Sequence, residues 1–284
     1  MKTEVTPLTS GTKRRKRKAG DKHSHRPGYT PELGKQIEEV IASMETRLVS
    51  EGRYIDQPFT VLPWQADVTW SVLTESIVGV TMARGNGKTT FFAALACEFL
   101  DGTLTQKRGY IQFVASSLDQ ARVMFEHVKH FIGEERIENE WIRKPGREDD
   151  EKDTKLNMRR RWRLIDNTHQ CRITDRKTET MMIGIGSDAK RAHGCAPLLV
   201  LADEPAQWVG EDGNRKLYNA LSTGLGKQVN STVCVLGTLS ENPAHWFNSE
   251  IIEGSSEDSG VRVHIYRCED DDNVLDEASA PDFH

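Results

Sequence analysis

No stretch of this sequence approaches the roughly 18 uninterrupted apolar residues that a membrane span needs, so no transmembrane helix is expected. The N-terminus carries a basic block with no apolar run behind it and does not read as a secretory signal. Cysteine is scarce: the five, Cys97, Cys171, Cys195, Cys234 and Cys268, form no CxxC pair. Their spacing suits neither zinc nor a small disulfide scaffold, so reduced, structural thiols are expected. The nine histidines show no HExxH spacing, and a metal site built from protein ligands alone is not expected. Internal repeats are also missing.

What is present is an ordinary apolar share and a high charged share, which read as a soluble chain. The 284 residues are enough for one large α/β domain with arms. The formal net charge of −5 hides an asymmetry. Seven basic residues, Lys2 and Lys13–Lys18, lie within residues 1–18 against the single acid Glu4. The remainder holds 31 basic against 42 acidic residues, so any nucleic-acid contact should be local. Residues 1–28 are too polar to fold alone. They read either as a solvated tail or as an electrostatic contact to DNA or a partner.

Order is expected to begin at Thr30-Pro31-Glu32, an N-cap followed by proline and an acid in the first turn. Leu33, Ile37, Val40, Ile41, Met44 and Leu48 then recur at helical spacing. A second helix is predicted from Pro63 to Leu73. Strand and helix patterns then alternate, as in a parallel sheet with crossover helices. Strands are predicted at 77–81, 110–115, 172–174, 181–185, 198–202, 232–236 and, as an edge, 261–266. Helices are predicted through 91–100, 118–132 and 217–225, with 134–163 charged and irregular.

The sharpest motif is Val80-Thr81-Met82-Ala83-Arg84-Gly85-Asn86-Gly87-Lys88-Thr89-Thr90. A strand enters a glycine-bearing loop, and Gly-Lys-Thr opens a helix. Backbone N–H groups of such a loop and helix start bind phosphate oxygens, aided by the helix dipole. Lys88 is expected to reach the β- and γ-phosphates of ATP, and the Thr89 hydroxyl to ligate Mg²⁺. Glycine usually stands five positions before Gly87, and here that residue is Met82.

The second motif is the apolar run Leu198–Ala202 ending in Asp203-Glu204. Such a strand suits the middle of a parallel sheet, whose carboxyl ends line the ligand crevice. Asp203 would hold Mg²⁺, and Glu204 would orient or deprotonate the attacking water. Neighbouring side chains on a strand point to opposite sides, so the two acids can do different work. The expected fold class is α/β: a P-loop NTPase of the ASCE/RecA-like branch, with a mostly parallel central sheet flanked by helices and an N-terminal helical arm. That branch places an added strand between the two motif strands.

With these residues in hand, the chain resembles the ATPase domain of phage terminase large subunits. Phe59–Gln65 is similar to the family's adenine-binding segment, which implies Gln65 as a base-edge contact. Ala83, Arg84, Gly85, Asn86, Gly87, Lys88 and Thr89 resemble its deviant phosphate loop. Ala115–Arg122, Gly186–Gly194 and Gly237–Ser240 look like further segments, the last being the coupling motif, with Leu239 where a small residue is more usual. The resemblance covers residues 57–267 and carries over Thr238 as the coupling residue. It implies an ATP- and Mg²⁺-dependent motor in the host cytoplasm, without a membrane, moving double-stranded DNA. Its partners would be a portal protein and a small terminase subunit. The working form would be a homo-oligomeric ring on the procapsid, with a monomer as the alternative for the domain alone.

The family's C-terminal nuclease has no counterpart before His284, and Glu269–Asp272 reads as a solvated acidic loop, so nuclease activity is not expected. The expected organisation is a basic tail (1–28), a helical arm (29–56), the ATPase domain (57–267) and an acidic tail or linker (268–284). Arg84 is a candidate for the γ-phosphate. Arg159, Arg160, Arg161 and Arg163 could face DNA or act on a neighbouring subunit's ATP, or form a solvated face. Lys190 and Arg191 could contact phosphate or DNA, and Trp64 reads as core. Two other readings stay open: a helicase-like DNA-dependent ATPase, which Asp203-Glu204-Pro205-Ala206 also suits, and a nucleotide-binding assembly subunit that hydrolyses nothing.

Overall fold

The computed structural model describes residues 26, 28–50, 52–104, 108–133, 137–139, 161–187, 196–210, 214–225, 230–254 and 260–266. Lys13–Lys18 and the acidic run Glu269–Asp272 lie outside the described residues. Two compact units divide the chain, residues 1–39 and 40–284.

Helix α1 (Pro31–Met44) starts where expected, with the Thr30 hydroxyl accepting the Leu33 N–H at 3.1 Å. It stops one turn short of the predicted Leu48, which stands outside the helix and is 46% exposed. The reason is local pairing. The Arg47 carbonyl accepts from Phe59 N–H at 2.7 Å and the Val49 N–H donates to Gln57 at 2.9 Å, so residues 47–59 bond across a loop instead of extending the helix.

Among the described residues, the larger unit is built on nine strands: β1 (Ile77–Met82), β2 (Tyr110–Ala115), β3 (Ile137–Asn139), β4 (Trp162–Asn167), β5 (Gln170–Asp175), β6 (Met181–Gly186), β7 (Leu199–Asp203), β8 (Thr232–Gly237) and β9 (Val261–Tyr266). Their order in the sheet is β3-β4-β5-β6-β2-β7-β8-β1-β9. From β6 to β9 every pairing is parallel, while β4–β5 and β5–β6 are antiparallel. β8 separates the phosphate-loop strand β1 from the acidic strand β7, which is the added strand expected of this branch. β9 stands at the edge, as its alternating pattern suggested.

Period-2 alternation sorts the side chains onto two faces. Leu199 and Leu201 of β7 join one core with α2 (Pro63–Thr74), α3 (Lys88–Leu100) and α4 (Leu118–Ile132). Val200 and Ala202 join a second core with α5 (Arg215–Gly224) and the π-helical segment Phe247–Ile252. Helix α3 is buried from Phe91 to Leu100, which explains why its sequence is apolar on all sides. Helix α4 is amphipathic instead; Ser117 caps its start, and Gly133, at φ 82°, follows its last turn.

The irregular stretch expected at 134–163 needs correction at both ends. Ile137–Asn139 forms β3, and Trp162 opens β4. The β4–β5 hairpin turns at Asn167, whose Oδ1 accepts the His169 and Gln170 N–H groups at 2.9 Å each. The turn is held by a side chain, without the glycine that marks most short hairpins. Among the described residues Cys97, Cys171 and Cys234 are free and buried, and burial pushes the Cys97 thiol up to about 12. No helix among the described residues is long and apolar enough to cross a membrane.

Candidate nucleotide-binding and hydrolytic site

The phosphate loop leaves β1 at Met82 and re-enters regular structure at Lys88, the first residue of α3. Gly85 and Gly87 have φ of 81° and 69°, a left-handed backbone that a side chain would strain. Gly87 sits at the N-cap, which aims the helix start into the loop. Asn86 closes the loop from inside, donating from Nδ2 to the Ala83 carbonyl at 3.2 Å. Lys88, only 7% exposed, donates from Nζ to the carbonyls of Met82 and Ala83 at 3.1 and 3.0 Å. Its ammonium also lies 3.6 Å from Oε1 of Glu204. Burial lowers the Lys88 pKa, with Glu204 and Asp203 acting in the opposite direction.

The carboxylates come from the end of β7. Asp203 is the last strand residue, and burial, with the neighbouring Glu204 charge, pushes its pKa up to about 7 against the pull of Lys88. Its carbonyl accepts the Trp208 indole N–H at 2.9 Å, tying the turn after the strand back onto it. Glu204 adopts φ 43°, ψ 59°, an uncommon left-handed conformation for a residue with a side chain. That turn swings its carboxylate toward β8. Oε2 accepts both the N–H and the hydroxyl of Thr238, each at 3.0 Å. The close approach depends on Gly237, where a Cβ would meet Pro205 Cδ at 3.0 Å and Glu204 Oε2 at 3.1 Å.

Lys88, Asp203, Glu204 and Thr238 therefore converge at the carboxyl ends of β1, β7 and β8, as parallel α/β sheets place their ligand sites. Arg84 stands exposed in the loop, with Ala83 and Gly85. Thr89 and Thr90 are half-buried in the first turn of α3.

No protein-family model matches the chain. The large terminase subunit of Enterobacteria phage HK97 is 22% identical over 246 residues, covering 84% of this chain and 44% of that protein. The crystal structure of the HK97 large terminase superposes with a TM-score of 0.62 at 21% identity, over 85% of this chain and 46% of that one. The chain shares the fold of part of a phage large terminase. The chain spans less than half the length of that relative. A large terminase from a thermophilic bacteriophage superposes less closely, with a TM-score of 0.48 at 14% identity over 74% of this chain and 46% of that one.

Within this terminase fold, the residues singled out from sequence have varied surroundings, and Trp64 is core as expected. Gln65 is 2% exposed, and its Oε1 accepts the Leu62 N–H at 2.9 Å, capping α2. Trp64 is core, edge-on to Phe91 with centroids 5.2 Å apart. Arg161 is engaged inside the chain: it donates to both Asp175 oxygens at 2.9 and 2.8 Å and to the Asp101 carbonyl at 2.7 Å. Arg163, on the opposite side of β4 from the buried Trp162, is exposed. Arg159, Arg160, Lys190 and Arg191 lie outside the described residues.

Sequence reasoning missed two features of this terminase fold. One is Gly237, whose role is set by the neighbouring strand turn. The other is Arg47, which donates to Glu98 Oε1 from Nε at 3.0 Å and from a terminal nitrogen at 2.5 Å, and reaches Asp101 at 3.0 Å. Glu98 and Asp101 lie at the far end of the helix that Lys88 begins. An i, i+3 or i, i+4 pattern cannot reveal a pair 51 residues apart.

Proposed function

We propose that this chain is the ATPase domain of a phage terminase large subunit. It hydrolyses the β–γ bond of ATP and so drives double-stranded DNA into a procapsid. The observation that carries the reading is the meeting of Lys88, Glu204 and Thr238: the phosphate-loop cation 3.6 Å from one oxygen of the acid, the strand-end threonine on the other. A binding module needs the loop; it does not need a carboxylate aimed back at it.

In the reaction, the bond from the γ-phosphorus to the bridging oxygen breaks as a bond to the water oxygen forms. Glu204 orients that water and takes its proton. Loop N–H groups and the start of α3 hold the phosphate oxygens. Lys88 offsets their charge, with Arg84 as a second cation at the loop tip. Thr238, already bonded to Glu204, carries the change in that carboxylate to the segment after β8.

The residues fit Mg²⁺. The Thr89 hydroxyl and the Asp203 carboxylate are hard oxygen donors, and Asp203 is a half-buried acid whose raised pKa marks a charge that a cation would stabilise. When bound, the ion would neutralise phosphate charge. A ring of copies on the procapsid, in the host cytoplasm, with portal and small-subunit partners, completes the proposal.

The test is steady-state ATP hydrolysis over a range of protein concentrations, beside Lys88→Ala and Glu204→Gln. Glu204→Gln should lose on the order of 10²–10⁴ in kcat and still bind ATP. Lys88→Ala should lose both. A rate per chain that climbs with concentration supports the ring. Wild-type turnover matched by Glu204→Gln would end the assignment.

A further inference from the structure

β8 passes its chain to Thr238, Leu239 and Ser240, and both the N–H and the carbonyl of Ser240 are taken by one side chain. The Oδ1 of Asn248 accepts the Ser240 N–H at 3.0 Å. Its Nδ2 donates to the Ser240 carbonyl at 2.8 Å and to the Asn242 carbonyl at 3.2 Å. Asn248 is 6% exposed, so water competes little for these bonds. A primary amide sets a donor beside an acceptor, as a strand edge does; a carboxylate of the same shape has no donor. Asn248 therefore pairs with the segment after Thr238 much as a neighbouring strand would.

Asn248 is in turn seated on a firm base. It belongs to the π-helical segment Phe247–Ile252, and its carbonyl accepts the Glu253 N–H at 2.9 Å, five residues on. Such wide turns recur at functional positions. The segment lies against β1 at Gly79. A Cβ at Gly79 would meet Ile251 Cγ2 at 2.6 Å and Ile252 Cδ1 at 3.5 Å, so only glycine permits this packing. One end of the arrangement thus touches the strand that carries the phosphate loop. The other holds the segment two residues beyond the threonine bonded to Glu204.

We propose that Asn248 is a positioning residue for the hydrolytic carboxylate. It is a strut from β1 to the segment after β8 that fixes Thr238, and through Thr238 fixes Glu204. This rests on the ATPase reading above. The strut gives the phosphate-loop strand a second route to Glu204, separate from the Lys88 contact. A shift of β1 moves Ile251 and Ile252, these carry Asn248, and Asn248 carries the Ser240 peptide.

The experiment compares the wild-type chain with Asn248→Asp, Asn248→Gln and Gly79→Ala, alone and with Thr238→Ala. It reads ATP turnover, binding of a fluorescent ATP analogue, melting temperature, and hydrogen exchange of the peptide covering residues 238–242. Asn248→Asp should speed exchange at Ser240 and lower kcat about tenfold, with analogue affinity changed less than about twofold. Gly79→Ala, which pushes on the strut from its other end, should give the same split. Asn248→Gln, which keeps donor and acceptor, should recover part of the turnover, and it carries the test if Asn248→Asp fails to fold. The double variant Asn248→Asp/Thr238→Ala should lose less than the product of the two single losses, because both act on the Thr238–Glu204 contact, of which Thr238→Ala keeps only the N–H bond.

Multiplied losses in the double variant, or faster exchange with unchanged kcat, would overturn the proposal. A wild-type chain that hydrolyses nothing would sink the ATPase reading instead. The exchange measurement needs no turnover and still judges the strut: unchanged exchange in Asn248→Asp would refute it.

Discussion

Thr238 binds Glu204 twice, through its backbone N–H and its hydroxyl, and both bonds end on the same carboxylate oxygen at 3.0 Å. The other oxygen faces Lys88 at 3.6 Å. The acid is thus suspended between the end of β8 and the start of α3, and small changes at either should register in turnover before they register in stability.

Removing the hydroxyl should separate the two bonds. Thr238→Ala keeps the N–H contact and loses one charge-assisted bond, worth about 1.5–3 kcal/mol. A loss of about tenfold or more in kcat is expected, with ATP affinity nearly unchanged. Thr238→Ser retains the oxygen and should keep most of the rate. Equal defects in the two variants would show that the methyl group, and not the hydroxyl, matters.

Gly237→Ala tests the same geometry from the backbone. The added methyl would press on Pro205, the Glu204 backbone and Glu204 Oε2, all at 3.0–3.1 Å. Overpacking of this kind costs about 1–3 kcal/mol. Because the crowded atoms belong to the catalytic turn, kcat should fall further than the melting temperature suggests. Urea unfolding and turnover measured on one preparation will show whether it does.

Arg47 should be among the costliest single losses away from the site. Its partner Glu98 is fully buried, and burial raises the Glu98 pKa even with Arg47 pulling it down. Arg47→Ala leaves that acid without its cation, and breaking a buried pair this way costs about 3–5 kcal/mol. Arg47→Met with Glu98→Gln should regain much of the loss in chemical denaturation. A single variant as stable as wild type would contradict the arrangement.

Asp175 gives the chain an acid-sensitive contact. Burial alone would raise its pKa, but hydrogen bonds from Arg161, the Lys177 N–H and Thr178 outweigh it and hold the folded value below the ordinary one. A depressed carboxylate stabilises the fold fully above its unfolded pKa, about 3.9, and loses that contribution as pH falls toward its folded value. Asp175→Asn should therefore cost about 2 kcal/mol at neutral pH, and the gap to wild type should close below about pH 4. A gap independent of pH would mean that the charge contributes nothing.

The extent to which sequence foretold this protein varies with the range of the interaction. Tyr110–Ala115 and Leu118–Ile132 form a strand and a helix with the bounds expected from sequence, because a mostly apolar run, a helical apolar period and the Gly133 boundary are local. Trp162–Asn167 alternates buried and exposed residues at its start, yet Arg163 and the arginines before it obscured the strand. Charge alone marks the arginine cluster, and charge does not say whether a cation faces solvent. Arg161 faces Asp175.

Local sequence sufficed for the phosphate loop, the acidic strand end, the added strand between them and the parallel sheet that brings them together. Each follows from residues adjacent in the chain or from patterns repeated within one element. Packing between elements decided that Glu204 turns left-handed onto Thr238, that Arg47 neutralises Glu98, and that Asn248 grips Ser240. Those contacts join groups from different elements at hydrogen-bonding distance. Packing sets such distances, and no periodicity in one strand or helix encodes where its neighbour's side chain will end.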